Sequence, residues 1–309
     1  MKKLFAIMCA VLAFSASGLK AEEAEASVSI LTKQYNYQDF QGLSAGNAFK
    51  VSLVQDSKWF VEVEYSDFLE PYLDVSVSAG TLRLDLKDLP SSVRNSRKYK
   101  DGPVLNAVVH MPQLTKLNLS GAAKLQQEGR FALADGEFRM DLSGAARVDN
   151  VQVDARKGRL AVSGAAKCDS FEGTFYQLKV NLSGAAKGNF NATAEDWDVV
   201  VSGSSHIEIS GQPCKTLDIE SSGASKADVF LPSETLQYEG SGASSLQALD
   251  APTGKAKVEL SGSSRCRIAV RESLDVEASG ASDCYYKAVD GASLRTRINT
   301  SRGSRVKSL

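Results

Sequence analysis

Leu178-Lys179-Val180-Asn181-Leu182-Ser183-Gly184-Ala185-Ala186-Lys187 is the stretch whose reading decides the fold. Leu178, Val180 and Leu182 alternate with Lys179 and Asn181, the period-2 pattern of a strand with one buried face. Ser183-Gly184 interrupts the alternation, and a second inward column starts five residues after the serine.

The stretch recurs along the chain. Ser-Gly-(Ala/Ser)-(Ala/Ser) stands with its serine at Ser120, Ser143, Ser163, Ser183, Ser202, Ser222, Ser241, Ser261 and Ser279, at intervals of 23, 20, 20, 19, 20, 19, 20 and 18 residues. Ser301-Arg302-Gly303-Ser304 is a degenerate tenth copy. Copies at so even a period are units of a solenoid. No interval has room for ten or more residues of helical periodicity beside its strands. The expected fold is therefore all-β, a right-handed parallel β-helix with about 20 residues per coil. The glycine allows a corner that a Cβ would strain, and the Ala or Ser two past the serine, Ala185 in this copy, is expected to pack in a narrow corner.

Upstream, Phe49 to Leu53, Trp59 to Tyr65, Leu73 to Val77 and Leu82 to Leu86 alternate as strands, and a polar stretch from Lys87 to Gly102 separates them from Val104 to Met111. Residues 39–118 read as an N-terminal β region that starts and caps the stack, with a polar loop at 87–102, followed by the repeat β-helix at 119–309. Residues 1–21 have the layout of a signal peptide: Lys2 and Lys3, an apolar run from Leu4 to Phe14, then Ser15 to Gly18. Residues 22–38 read as a leader. Cys9 lies too close to Lys3 for a lipoprotein signal. The apolar run is too short to span a bilayer, so the mature chain is expected to be exported without a transmembrane segment.

Removing Lys2, Lys3 and Lys20 lowers the basic count from 36 to 33 against 37 acidic residues. A near-neutral chain of this kind is not expected to bind nucleic acid. The repeat places Cys168, Cys266 and Cys284 in the inward column, where a free thiol behaves as a small hydrophobe. Cys266 and Cys284 lie on consecutive coils. In-register parallel neighbours have poor disulfide geometry, so free burial is the expectation, with a bond between these two left open.

Two strands, Phe49-Lys50-Val51 and Leu82-Arg83-Leu84, precede His110-Met111-Pro112-Gln113-Leu114. That segment runs into Leu117-Asn118-Leu119-Ser120-Gly121, and repeated Ser-Gly-Ala-Ser copies follow. In this order of parts the chain resembles the head GIN domain family, adhesin-like exported β-helix proteins of Bacteroidota. The resemblance covers roughly Asp39 to Leu309. It implies a β-helix and an adhesin-like role, and carries no catalytic motif. The chain departs from a self-exporting adhesin because the 30 residues after Ser279 are too few for a membrane barrel. Its early copies also read Ser-Gly-Ala-Ala before a basic residue, where the family usually has more uniform Ser-Gly-Ser-Gly.

The position four past each serine reads Lys124, Arg147, Lys167, Lys187, His206, Lys226, Ser245, Arg265 and Asp283. Stacked coils would space these side chains about 4.8 Å apart, with a repulsion of roughly 0.8 kcal/mol per neighbouring pair in water. Lys124, Arg147, Lys167, Lys187, His206, Lys226 and Arg265 are therefore the candidate polyanion-binding ladder, for an acidic glycan, lipopolysaccharide phosphates or an envelope protein. The bland alternative is a solvated edge. Two residues before the serine, Glu220, Glu239, Glu259 and Glu277 form a row that lacks the carbonyl-rich loop of a calcium site and reads as a solvent face.

Catalysis finds little support in the sequence. His110 and His206 have no nucleophile or carboxylate beside them in any motif, and no Gly-x-Ser-x-Gly elbow occurs. No coil carries an insertion that would wall a substrate groove. The expectation is a non-enzymatic adhesin-like or polymer-binding surface module without cofactor or metal. The alternatives are a β-helical polysaccharide lyase or hydrolase, and a structural subunit of an envelope complex.

Overall fold

Each Ser-Gly corner joins two strand runs that stack in register on the coils above and below. This is seen in a computed structural model that describes residues 28–289, 293–301 and 303–309. Before the corner, Gln177 to Leu182 pairs in parallel with Lys157 to Val162 on one side and with Asp196 to Val201 on the other. After it, Lys187-Gly188 pairs in parallel with Lys167-Cys168 and with His206-Ile207. The chain is thus a β-solenoid of stacked parallel coils, as the repeat predicts. The signal segment at 1–21 and residues 22–27 lie outside the described residues.

The corner is built around backbone, not side chains. Gly184 has φ +76°, and a Cβ there would stand 2.8 Å from the carbonyl oxygen of Gly164. That carbonyl accepts the Ala185 N–H at 2.7 Å, and the same bond recurs from Ala145 to Gly121 at 2.7 Å and from Ala281 to Gly262 at 2.7 Å. Repeat serines add axial bonds, but to carbonyls and not to one another: Ser163 Oγ donates to Leu142 O at 3.3 Å and Ser279 Oγ to Leu260 O at 3.2 Å.

The residue that fills the corner is the third after the serine, which corrects the expectation for the second. Ala166 and Ala186 are 0% exposed and Ser205 is 1% exposed, whereas Ala165, Ala185 and Ser204 face solvent. The cause is the tight turn itself. Ala166 N–H reaches back to Ser163 O at 3.3 Å, so glycine and its successor form the tip and the third residue resumes the inward strand.

The stack begins before the serine motif does. Gly42–Ala45 and Lys50–Gln55 flank Gly46-Asn47-Ala48-Phe49 and pair in parallel with Lys116–Leu119 and Lys124–Glu128. Asn47 takes φ 53° at the corner position that later coils give to glycine, a conformation asparagine tolerates better than most residues. The cap lies between these two coils in sequence. In it, Phe60–Ser66 pairs antiparallel with Leu105–Met111, and Leu73–Ser78 pairs antiparallel with Thr81–Leu86. Two short helical turns, Ser91–Arg94 and Arg97–Lys100, occupy the polar stretch. Ile30–Tyr35 also belongs to the cap, pairing antiparallel with Phe60–Ser66. This strand falls within the 22–38 leader, so ordered structure starts ahead of residue 39. Gly42–Gln55, likewise inside the 39–118 region, is already the first coil.

Inside the stack, Phe171 packs against Phe138 at 6.2 Å between ring centroids and against Phe175 and Phe190 at 5.9 Å. Cys168, Cys214, Cys266 and Cys284 are buried free thiols. Cys266 and Cys284 are register partners, and both are free thiols with no disulfide between them. Burial pushes the Cys168 and Cys214 thiols up to about 12 and raises Cys266 well above its ordinary value.

Two measurements check this packing. Ala186→Leu should overfill the corner and lower stability by about 1 to 3 kcal/mol in urea unfolding, while Ala185→Leu should stay within about 0.5 kcal/mol of wild type. Equal effects would contradict the assigned corner. The four buried thiols should resist a thiol-specific dye at pH 8 in the native protein and all react in denaturant. The sign of the pH dependence follows from the same burial. Unfolded thiols ionise near 9 and the folded Cys168 and Cys214 near 12, so the stability they contribute, present below pH 9, is lost as pH rises through that window.

Candidate functional site

The register places the basic column on one edge of the solenoid. Lys124, Arg147, Lys167, Lys187, His206, Lys226, Ser245, Arg265 and Asp283 are successive cross-strand partners. The fold adds a rung at each end: Lys50 pairs with Lys124, and Arg305 pairs with Asp283. Sequence reading missed both because their corners depart from Ser-Gly-Ala/Ser. Gly46-Asn47, a pair suited to a positive φ, is the signal that could have revealed the first.

The rungs differ in how their charge is answered. Two residues beyond the ladder runs a column containing Asp149, Asp169, Glu208 and Asp228. Arg147 Nε lies 3.1 Å from Asp149 and also pairs with Asp169 from the next coil. His206 Nε2 and Lys226 Nζ both meet Asp228 Oδ2, at 2.8 and 2.6 Å. Asp283 accepts Arg305 at 2.9 Å. Among the described residues no carboxylate lies within ion-pair distance of Lys50, Lys124, Lys167 or Lys187. Net positive charge is therefore concentrated on the coils from Lys50 to Lys187, and the His206–Lys226 segment is largely neutralised.

Both histidines have hydrogen-bonded carboxylate partners, Asp56 and Asp228, that lie far off in the sequence. His110 Nδ1 is 2.9 Å from Asp56 Oδ2, and Phe60 meets its ring edge to face at 5.3 Å. Asp56 is held below its ordinary pKa first by that hydrogen bond. The partners lie 54 and 22 residues from their histidines, one across the cap and one a coil away, distances no local motif spans.

On the other side of the Ser-Gly corner the glutamate row forms a second feature. Glu220, Glu239, Glu259 and Glu277 are in register and line a groove of about 510 Å³ together with Ser222, Ser241, Ser261 and Ser279. Lys257 pairs with Glu259 at 2.6 Å, and Gln237 donates to Glu239 at 3.1 Å. The corner thus separates a basic edge from an acidic face. The like charges of the glutamate row make this groove unfavourable for a polyanion.

The fold defines a β-solenoid with charge set out in columns, and no helix among the described residues is long and apolar enough to cross a membrane. The family model described as "Putative auto-transporter adhesin, head GIN domain" matches residues 39–231 and 191–288, and the chain belongs to that family. Among solved structures it is similar to a putative lipid binding protein from Parabacteroides distasonis, at 15% identity and TM-score 0.50, covering 91% of this chain and 96% of that one. It is also similar to a putative adhesin from the same species, at 15% identity and TM-score 0.46, covering 91% and 97%. A third, a putative adhesin from Parabacteroides merdae, shares 14% identity at TM-score 0.42, covering 91% and 96%. No curated protein matches the chain.

Proposed function

We propose that this protein is an exported, non-enzymatic, adhesin-like module that binds extended envelope polyanions, such as acidic glycans or lipopolysaccharide, along its basic edge. One observation carries the reading: five successive rungs, Lys50, Lys124, Arg147, Lys167 and Lys187, stand in register, and four of them have no carboxylate partner among the described residues. Like charges on adjacent strands are unfavourable by a few tenths of a kcal/mol or more per pair. An anion lying along the row relieves each repulsion at once. Family membership supports the adhesin-like role and export.

A polymer with a charge every 4 to 5 Å matches the strand spacing of about 4.8 Å, whereas a small anion meets only one or two rungs. Affinity is then collective, built from weak exposed contacts, each worth about 1 kcal/mol or less. The enzymatic alternative, a polysaccharide lyase or hydrolase, lacks support in the site. The carboxylates in the glutamate groove are single side chains on separate coils, and no histidine or cysteine is among the residues that line it.

Heparin and alginate fragments of increasing length should bind with rising affinity, and raising salt from 50 to 500 mM should weaken binding at least tenfold. Reversing Lys167 and Lys187 to Glu should remove most of that affinity. The same change at Lys257 and Lys307, off the row, should remove little. Equal losses from both double variants, or binding without salt dependence, would return the ladder to solvated surface. Release of unsaturated or reducing ends from pectin, alginate or heparin would instead establish an enzyme.

A further inference from the structure

We infer that His206, Glu208 and Asp228 form a binding site for one divalent transition ion of the zinc class. His206 and Glu208 are two residues apart on His206–Ser210, so both project outward from the same face of one strand. Asp228 is the register partner of Glu208 on the following coil, and Lys226 is the partner of His206. The ligand atoms of the three residues lie within 4.8 Å of one another. His206 Nε2 is 2.8 Å from Asp228 Oδ2 and 3.9 Å from Glu208 Oε1.

Those separations fit a metal. Ligand atoms about 2.1 Å from a tetrahedral zinc stand roughly 3.4 Å apart, between the two distances observed. Asp228, only 11% exposed in its side chain, forms the floor, and the half-exposed Glu208 can swing to close the third position. One imidazole with two carboxylates suits zinc and its first-row neighbours better than magnesium or calcium, which favour all-oxygen shells. The fourth position opens to solvent along the basic edge.

Charge argues the same way. Glu208 and Asp228 are carboxylates directly opposite each other on adjacent strands, an unfavourable pair unless a cation stands near. Lys226 Nζ supplies that cation, 2.6 Å from Asp228 Oδ2, and so competes with the metal for this oxygen. Its side chain is 48% exposed and the next rung is the small Ser245, which leaves it room to withdraw. Ion binding does not depend on the polymer reading. A bound dication with an open position would nevertheless restore positive charge to the part of the ladder that carboxylates now neutralise.

Calorimetric titration of the chelator-treated protein with zinc chloride tests the site directly. One equivalent should bind, with magnesium and calcium giving no comparable heat. His206→Ala and Asp228→Asn should each weaken binding by more than the roughly 10- to 100-fold loss expected of a merely supporting residue. Lys226→Ala should tighten binding, an effect that misfolding cannot produce. His110→Ala, at the other histidine–aspartate pair, should leave zinc affinity unchanged. The inference is overturned if no zinc binds, if His206→Ala binds as wild type, if His110→Ala abolishes binding, or if Lys226→Ala does not strengthen it.

Discussion

The close passage of one glycine over the next sets the architecture. At each corner the carbonyl of one glycine accepts the amide one residue beyond the glycine of the next coil, at 2.6 to 2.8 Å from Gly121 through Gly262. The space a Cβ would need is already occupied by that carbonyl, as at Gly144, Gly164 and Gly242, each 2.8 Å from the preceding glycine's oxygen. The contact locks the vertical spacing and the register together. A corner that slipped by one residue would lose its axial hydrogen bond and turn every inward side chain of its strand outward.

From that lock follow the columns, and from the columns the surface. Because register is fixed coil by coil, a residue type repeated at one offset becomes a line on the outside of the molecule. The offset four past the serine gives the basic edge and the offset six past it gives the answering carboxylates. The offset two before it gives the glutamate groove. The Ala-to-Ser change at the buried corner position after Ala186 obeys the same geometry. A buried hydroxyl is normally hydrogen-bonded: Ser205 and Ser282 Oγ find an acceptor in their own turns, at Ser202 O and, 2.8 Å away, at Ser279 O, whereas Ser225 and Ser264 Oγ have none among the described residues.

The repeat was legible because it is written in one local pattern nine times over, and each copy constrains the others. The inward column five past the serine could be read for the same reason. What escaped has physical causes. The first coil uses Asn47 where the others use glycine, so its kinship with the repeat lies in backbone conformation and not in residue identity. Ile30–Tyr35 is an exposed edge strand without a buried face, so its pattern resembles that of a leader. The corner residue was misassigned because both candidates are Ala or Ser. Only the turn geometry decides which of the two points inward. The hydrogen-bonded partners of His110 and His206 were out of reach because Asp56 and Asp228 come from other segments of the chain, although the acidic column that holds Asp228 could have been read at its own offset.

A surface written in columns also limits what it can recognise. A deep pocket needs loops of unequal length that converge from several directions, and coils of 18 to 23 residues supply none from Ser120 to Ser279. The groove beside the repeat serines is lined by carboxylates on the far side of the corner from the lysines. On the proposed reading, selectivity on the basic edge would come from matching a linear spacing, with the carboxylate column deciding where charge remains available. The rungs from Lys50 to Lys187 stay positive while those from His206 to Lys226 are offset by Asp228 and Glu208. On the proposed reading a polyanion would be held toward the capped end of the stack, leaving the neutralised rungs free of it.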